Sequence, residues 1–102
     1  MDHTINETEL VPRKQAKLRF RESILYEWDY CCAYCGDPLG KNATLDHVMP
    51  KSKGGQTTQK NLVGCCFSCN SHKSGHDWIE WYRQRDYWLL DREERIARWL
   101  EQ

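Results

Sequence analysis

The sequence has no long apolar run. Its longest uninterrupted apolar stretch is Tyr30 to Cys35, and half of that stretch is cysteine. This excludes a membrane-spanning helix and a secretory signal core, and it leads to the expectation of a cytoplasmic chain. Net charge is missing too: 15 Lys and Arg balance 15 Asp and Glu. A uniformly basic, indiscriminately sticky surface is therefore excluded. Apolar residues are sparse, at 39% with a mean hydropathy of −0.88. Over 102 residues they supply one thin core, so a single domain is expected over residues 13–102, behind a loose polar arm at 1–12. Internal repeats and low-complexity segments are also lacking. Full disorder is excluded by an aromatic content of 12%, including five Trp and five Tyr.

What the chain has in excess is cysteine, six in all. Four of them form two Cys-x2-Cys pairs, Cys32 with Cys35 and Cys66 with Cys69. One tight turn carrying two thiolates feeds two corners of a tetrahedral ion, and two such turns close it. A closed four-cysteine site has no open coordination position, so a structural zinc is expected. Such an ion also supplies folding energy to a domain with a thin core. Two disulfides are the competing arrangement, disfavoured by the absence of a secretory signal. Cys31 and Cys65 directly precede the pairs. They are either buried thiols or members of an alternative x3 register, and the x2 register is preferred.

The balanced charge is unevenly distributed. Residues 13–21 carry Arg13, Lys14, Lys17, Arg19 and Arg21 without an acid. Residues 30–75 carry five Lys against Asp37 and Asp46, and residues 76–102 carry five Arg against seven acids. A basic stripe and a basic centre on an acidic frame suit a local polyanion site.

Periodicity predicts a helix over 13–29, with Leu18, Ile24, Leu25 and Trp28 on its apolar face. Short strands are expected at 43–48 and 62–65, with a glycine-containing loop over 51–61 between them. A short helix is expected from the second knuckle to about Gly75. Two more helices follow, one over 77–86 with Trp78, Trp81 and Tyr82 as core residues, and a last one capped by Asp91 with Glu94 three residues on.

Between the knuckles lies a constellation suited to chemistry. Asp46 is a hard oxygen ligand, His47 takes a proton near neutral pH, and Asn70 offers a further oxygen. Adjacent residues on an ideal strand point to opposite faces, so Asp46 and His47 need an irregular strand end to cooperate. Lys73 follows Asn70 by about one helical turn, within reach of a phosphate. His72 and His76 share a helix face but are expected to serve packing or the surface.

The ordered set Cys32-x2-Cys35, Leu45-Asp46-His47, Gly54-Gly55, Asn61, Cys66-x2-Cys69, Asn70 and Lys73 resembles the HNH endonuclease family. The resemblance extends to Tyr30 ahead of the first knuckle, and the tail is similar to tails of small free-standing members. It implies an α+β fold, a ββα-metal core between zinc knuckles with an N-terminal helix and C-terminal helices. It implies that His47 is the general base, that Asn61 tethers the loop holding His47, and that Asp46 and Asn70 hold one divalent ion. Asn stands at 70 where the family name expects His, which favours Mg²⁺ or Mn²⁺ over Zn²⁺ there. The implied activity is hydrolysis of DNA phosphodiester bonds, leaving a 5′-phosphate and a 3′-hydroxyl. The implied setting is homing-type or phage-associated nicking, by a monomer or homodimer. Lys51, Lys53, Lys73, Arg19 and Arg21 are the expected DNA contacts. A non-catalytic zinc module that binds DNA, or an accessory of a phage packaging machine, is the alternative.

Overall fold

The computed structural model describes residues 13–102. The arm expected over 1–12 lies outside the described residues. The elements run α1 (Arg13–Glu27), β1 (Ala43–His47), β2 (Leu62–Cys66), α2 (Phe67–Lys73), α3 (Trp78–Arg83) and α4 (Leu90–Leu100), with 3-10 turns at Lys51–Lys53 and Gln59–Asn61 in the loop between the strands. The fold is α+β. Among the described residues, no helix is long and apolar enough to cross a membrane.

Helix α1 forms from good helix formers, Lys, Gln, Ala, Arg, Leu and Glu. Its last turns bury Ile24 and Leu25 and lead into the buried Trp28. The expected apolar stripe is shorter than the periodicity suggested, because Leu18 is 51% exposed and only the C-terminal half of the helix meets the core. The helix stops where Asp29 and Tyr30 both turn left-handed, at φ 58° and 54°. Tyr30 N–H then closes the end by donating to the Leu25 carbonyl at 2.8 Å.

The first knuckle follows at once. Cys32 N–H donates to the Asp37 carbonyl, and Gly36 N–H to the Cys32 carbonyl. Gly36 sits at φ 84°, a conformation that favours glycine, and a β-carbon there would meet the Arg92 guanidinium.

The two strands form one antiparallel ribbon, from Ala43 opposite Cys66 to His47 opposite Leu62. A two-stranded ribbon is marginal by itself. Here α1 and α2 pack on it, and Trp99 of α4 donates its indole N–H to the Leu62 and Gln59 carbonyls, each at 2.9 Å. Cys66 ends β2 and also caps α2, its sulfur accepting from Cys69 N–H at 3.3 Å.

Helix α3 is capped by Asp77, whose carboxylate accepts from Glu80 N–H at 3.0 Å. Helix α4 is not capped by Asp91. The chain enters it two residues earlier, from Leu89, and Asp91 and Glu93 lie inside the first turn, where acids favour the helix dipole. Glu93 turns inward and accepts from Arg83 at 2.6 and 2.8 Å and from the Trp88 indole at 2.8 Å.

The core gathers Ile24, Trp28, Tyr34, Val48, Val63 and Ile96, with Trp81 and Tyr82 from α3. The tryptophan-rich tail therefore closes the core. Arg95 of α4 lies 4.3 Å over the Trp28 ring and donates to the Glu27 carbonyl at the end of α1.

Burial separates two leucine-sized positions on α1. Ile24→Ala should lower unfolding free energy by about 2–5 kcal/mol in denaturant titrations, and Leu18→Ala by less than about 0.5 kcal/mol.

Candidate functional site

The side chains of Cys32, Cys35, Cys66 and Cys69 bring four sulfurs within 4.8 Å of one another. The Cys35 and Cys66 sulfurs are 3.9 Å apart. Tetrahedral zinc at its usual bond length needs sulfur separations of about 3.8 Å, so an ion enters with little rearrangement. The chemistry of the donor set fits as well. Without a cation the thiols cannot all ionise. Cys32 is pushed down because its thiolate accepts from Cys65 and Cys69, while burial raises Cys35 to about 12 and the bond to Cys32 raises Cys69. A dication at the centre lets all four ionise together. Cys31 and Cys65 stay outside the quartet. Cys31 pairs with Pro38 in an isolated bridge, and the buried Cys65 thiol donates to the Cys66 carbonyl at 3.3 Å.

One edge of this metal centre borders a second site. An open cavity of about 250 Å³ is lined by Asp46, His47, Lys51, Asn70 and Gly75 among others. Strand β1 ends at His47 and the chain turns at once, so two adjacent residues reach one cavity. The turn is held by Asn61, buried beside it. Its carbonyl oxygen accepts from Met49 N–H at 2.9 Å, and its amide donates to the Met49 and Gln56 carbonyls at 3.1 and 2.9 Å. Asn61 thus ties the loop between the strands to the residue two beyond His47.

His47 is half-buried, with Nε2 2.9 Å from the Thr57 hydroxyl. Burial and the neighbouring Lys51 charge hold its pKa below the ordinary histidine value, so the ring is neutral at pH 7. Asn70 donates its amide to Thr44 Oγ1 at 2.9 Å and to the Leu45 carbonyl at 3.3 Å. Two acceptors on the amide side fix the flip and leave Oδ1 as the group with lone pairs to offer.

Asp46 is buried. Its Oδ2 accepts from the Tyr34 hydroxyl at 2.6 Å, and Lys73 Nζ lies 3.3 Å from Oδ1 and 3.2 Å from Oδ2. Burial raises its pKa, and the Lys73 charge works against that rise. Tyr34, fully buried, is raised well above the ordinary phenol value, first by burial and then by the Asp46 charge, so it remains a donor.

The expected DNA contacts are dispersed. Lys51 lines the cavity and Lys53 is exposed two residues on. Lys73 is fully buried and points inward, its ammonium also donating to the His47 carbonyl at 2.9 Å. Arg19 is exposed on α1, whereas Arg21 donates to the Ala43 carbonyl at 2.9 Å and joins α1 to β1. His72 accepts from the Trp81 indole at 2.8 Å and His76 bonds the Lys73 carbonyl. Tyr34, Thr44 and Thr57 were not singled out in the sequence. Only Tyr34 carried a signal, its position inside a metal knuckle.

The structure thus sets a two-stranded ribbon, a short helix and a four-cysteine cluster together with a cavity lined by Asp46, His47 and Asn70. Residues 32–78 match the family model described as HNH endonuclease. Two relatives are CRISPR-associated Cas9 endonucleases. That of Corynebacterium diphtheriae is 40% identical over 52 residues, and that of Actinomyces naeslundii 36% over 52. Each match covers 49% of this chain but only 5% of the relative. The crystal structure of the type II-C Cas9 enzyme from A. naeslundii aligns over 80% of this chain and 10% of that one, with a TM-score of 0.64 and 23% identity, a likeness of fold.

Purified protein should contain one zinc per chain by elemental analysis. Cys31→Ser should retain it and Cys35→Ser should lose it. Chelation should abolish the cooperative unfolding transition of the wild type.

Proposed function

We propose that the chain hydrolyses DNA phosphodiester bonds as a metal-dependent HNH endonuclease, leaving a 5′-phosphate and a 3′-hydroxyl. The observation that carries this reading is the convergence of Asp46, His47 and Asn70 on one open cavity, beside a loop pinned by Asn61. Asp46 and Asn70 would hold a divalent ion, and their oxygen donors suit Mg²⁺ or Mn²⁺. When bound, the ion supplies charge stabilisation at the scissile phosphate and the leaving 3′ oxygen. The chain supplies the rest. His47, neutral at pH 7, takes the proton of the attacking water. In the tautomer whose Nε2–H donates to Thr57 Oγ1, Nδ1 is the nitrogen free to accept it. Lys51 on the cavity wall and Lys53 beside it attract the phosphate backbone, with Arg19 and the other exposed cations of α1 extending the grip. Lys73 acts from inside, as the counter-charge to Asp46 rather than as a surface contact.

One such centre per chain supports nicking by a monomer, the mode of homing-type or phage-associated nicking enzymes. Cutting both strands calls for a second copy. Four thiolates around a structural zinc suit a reducing, cytoplasmic setting.

Plasmid cleavage tests the proposal. Wild type with Mg²⁺ or Mn²⁺ should convert supercoiled to nicked DNA. His47→Ala, with matched zinc content, should lose roughly 10²–10⁴-fold in rate, the range for a positioned general base. Binding without cleavage by both proteins would favour the non-catalytic module or packaging accessory. The pH profile adds a signed expectation. The base must be unprotonated, so activity should fall on the acid side through a pKa below 6.5. Removing the positive charge in Lys51→Gln should move that limb to higher pH.

A further inference from the structure

We propose that Tyr34 is a positioning residue for the divalent ion, fixing the Asp46 carboxylate from within the first zinc knuckle. The inference rests on the reading of Asp46 as a ligand of that ion.

Tyr34 lies between Cys32 and Cys35 and is fully buried. Its place is over-determined. The ring packs edge-on against Trp81 and Tyr82, with centroids 5.1 and 5.3 Å away. Its carbonyl accepts from the Tyr82 hydroxyl at 2.7 Å and from Arg92 at 3.3 Å. The hydroxyl then projects onto Asp46 Oδ2 at 2.6 Å, the shortest contact Asp46 makes. A phenol held this rigidly selects one carboxylate orientation. Oδ1, which has only the longer contact to Lys73, is the oxygen with capacity left for a cation.

Two metal centres are thereby joined by one side chain. The turn that brings Cys32 and Cys35 to the zinc also sets where the phenol stands. Hydrogen-bond partners of ligating groups commonly contribute about 10–100-fold to metal affinity. Lys73 does not fill this role, because an ammonium beside Asp46 competes with a dication for the same carboxylate.

The test is Mn²⁺ titration of zinc-loaded protein, read by electron paramagnetic resonance, across wild type, Asp46→Ala, Tyr34→Phe and Glu93→Gln. Tyr34→Phe keeps the ring and removes only the hydroxyl. Glu93→Gln weakens an ion pair remote from Asp46 and reports the effect of lost stability alone. The expected result is strong Mn²⁺ binding in wild type and Glu93→Gln, none at this site in Asp46→Ala, and roughly tenfold weaker binding in Tyr34→Phe with one zinc still bound. Wild-type affinity in Tyr34→Phe overturns the positioning role alone. So does equal weakening in Glu93→Gln, since the loss then follows stability. Identical titrations of wild type and Asp46→Ala remove the ligand assignment and overturn the proposal with it.

Discussion

Four thiols converge where a dication can take them, and most of the architecture follows from that crowding. Two of the sulfurs come from the turn after α1, and two from the junction of β2 and α2. The two junctions are far apart in sequence, so an ion held there would join the two halves of the ribbon's surroundings. Without it, burial pushes the Cys35 thiol, and the bond to Cys32 pushes the Cys69 thiol, toward the protonated form. The hydrophobic core is correspondingly modest, and much of it belongs to aromatic rings that arrive with the last two helices.

The cavity is built on this frame with few parts. A five-residue strand delivers Asp46 and His47, a seven-residue helix delivers Asn70, and one buried asparagine pins the loop between the strands. Electrostatics divides the labour. Asp46 lies in a buried pocket with its own cation. His47 sits half open, and its burial, then the neighbouring Lys51 charge, holds its pKa below the ordinary histidine value. The adjacent positions differ in exposure because the strand ends between the core and the cavity.

Much of this was legible in the sequence, because spacing encodes it. The Cys-x2-Cys pairs report their geometry directly, and the positions of Asp46, His47, Asn61 and Asn70 follow a dense local pattern. The strands were read to within a residue or so at each end. What was not legible depends on tertiary packing. Leu18 fits a helical stripe, but among the described residues it is exposed, and α1 buries only Ile24 and Leu25. Asp91 has the chemistry of a cap, yet the helix begins from Leu89. Lys73 reads as a surface cation, and only the fold shows it enclosed with Asp46. Tyr34 shows in the sequence only as the residue between two ligands, since its partner Asp46 lies in another element.

The order of parts along the chain has a consequence for synthesis. All four clustered cysteines have been made by Cys69, whereas Ile96 and Trp99, which help close the core, follow 27 and 30 residues later in the chain. A nascent chain can therefore capture its ion before its aromatic core is complete. The guanidinium of Arg95, stacked on Trp28 and bonded to the end of α1, then acts as a latch between α4 and α1.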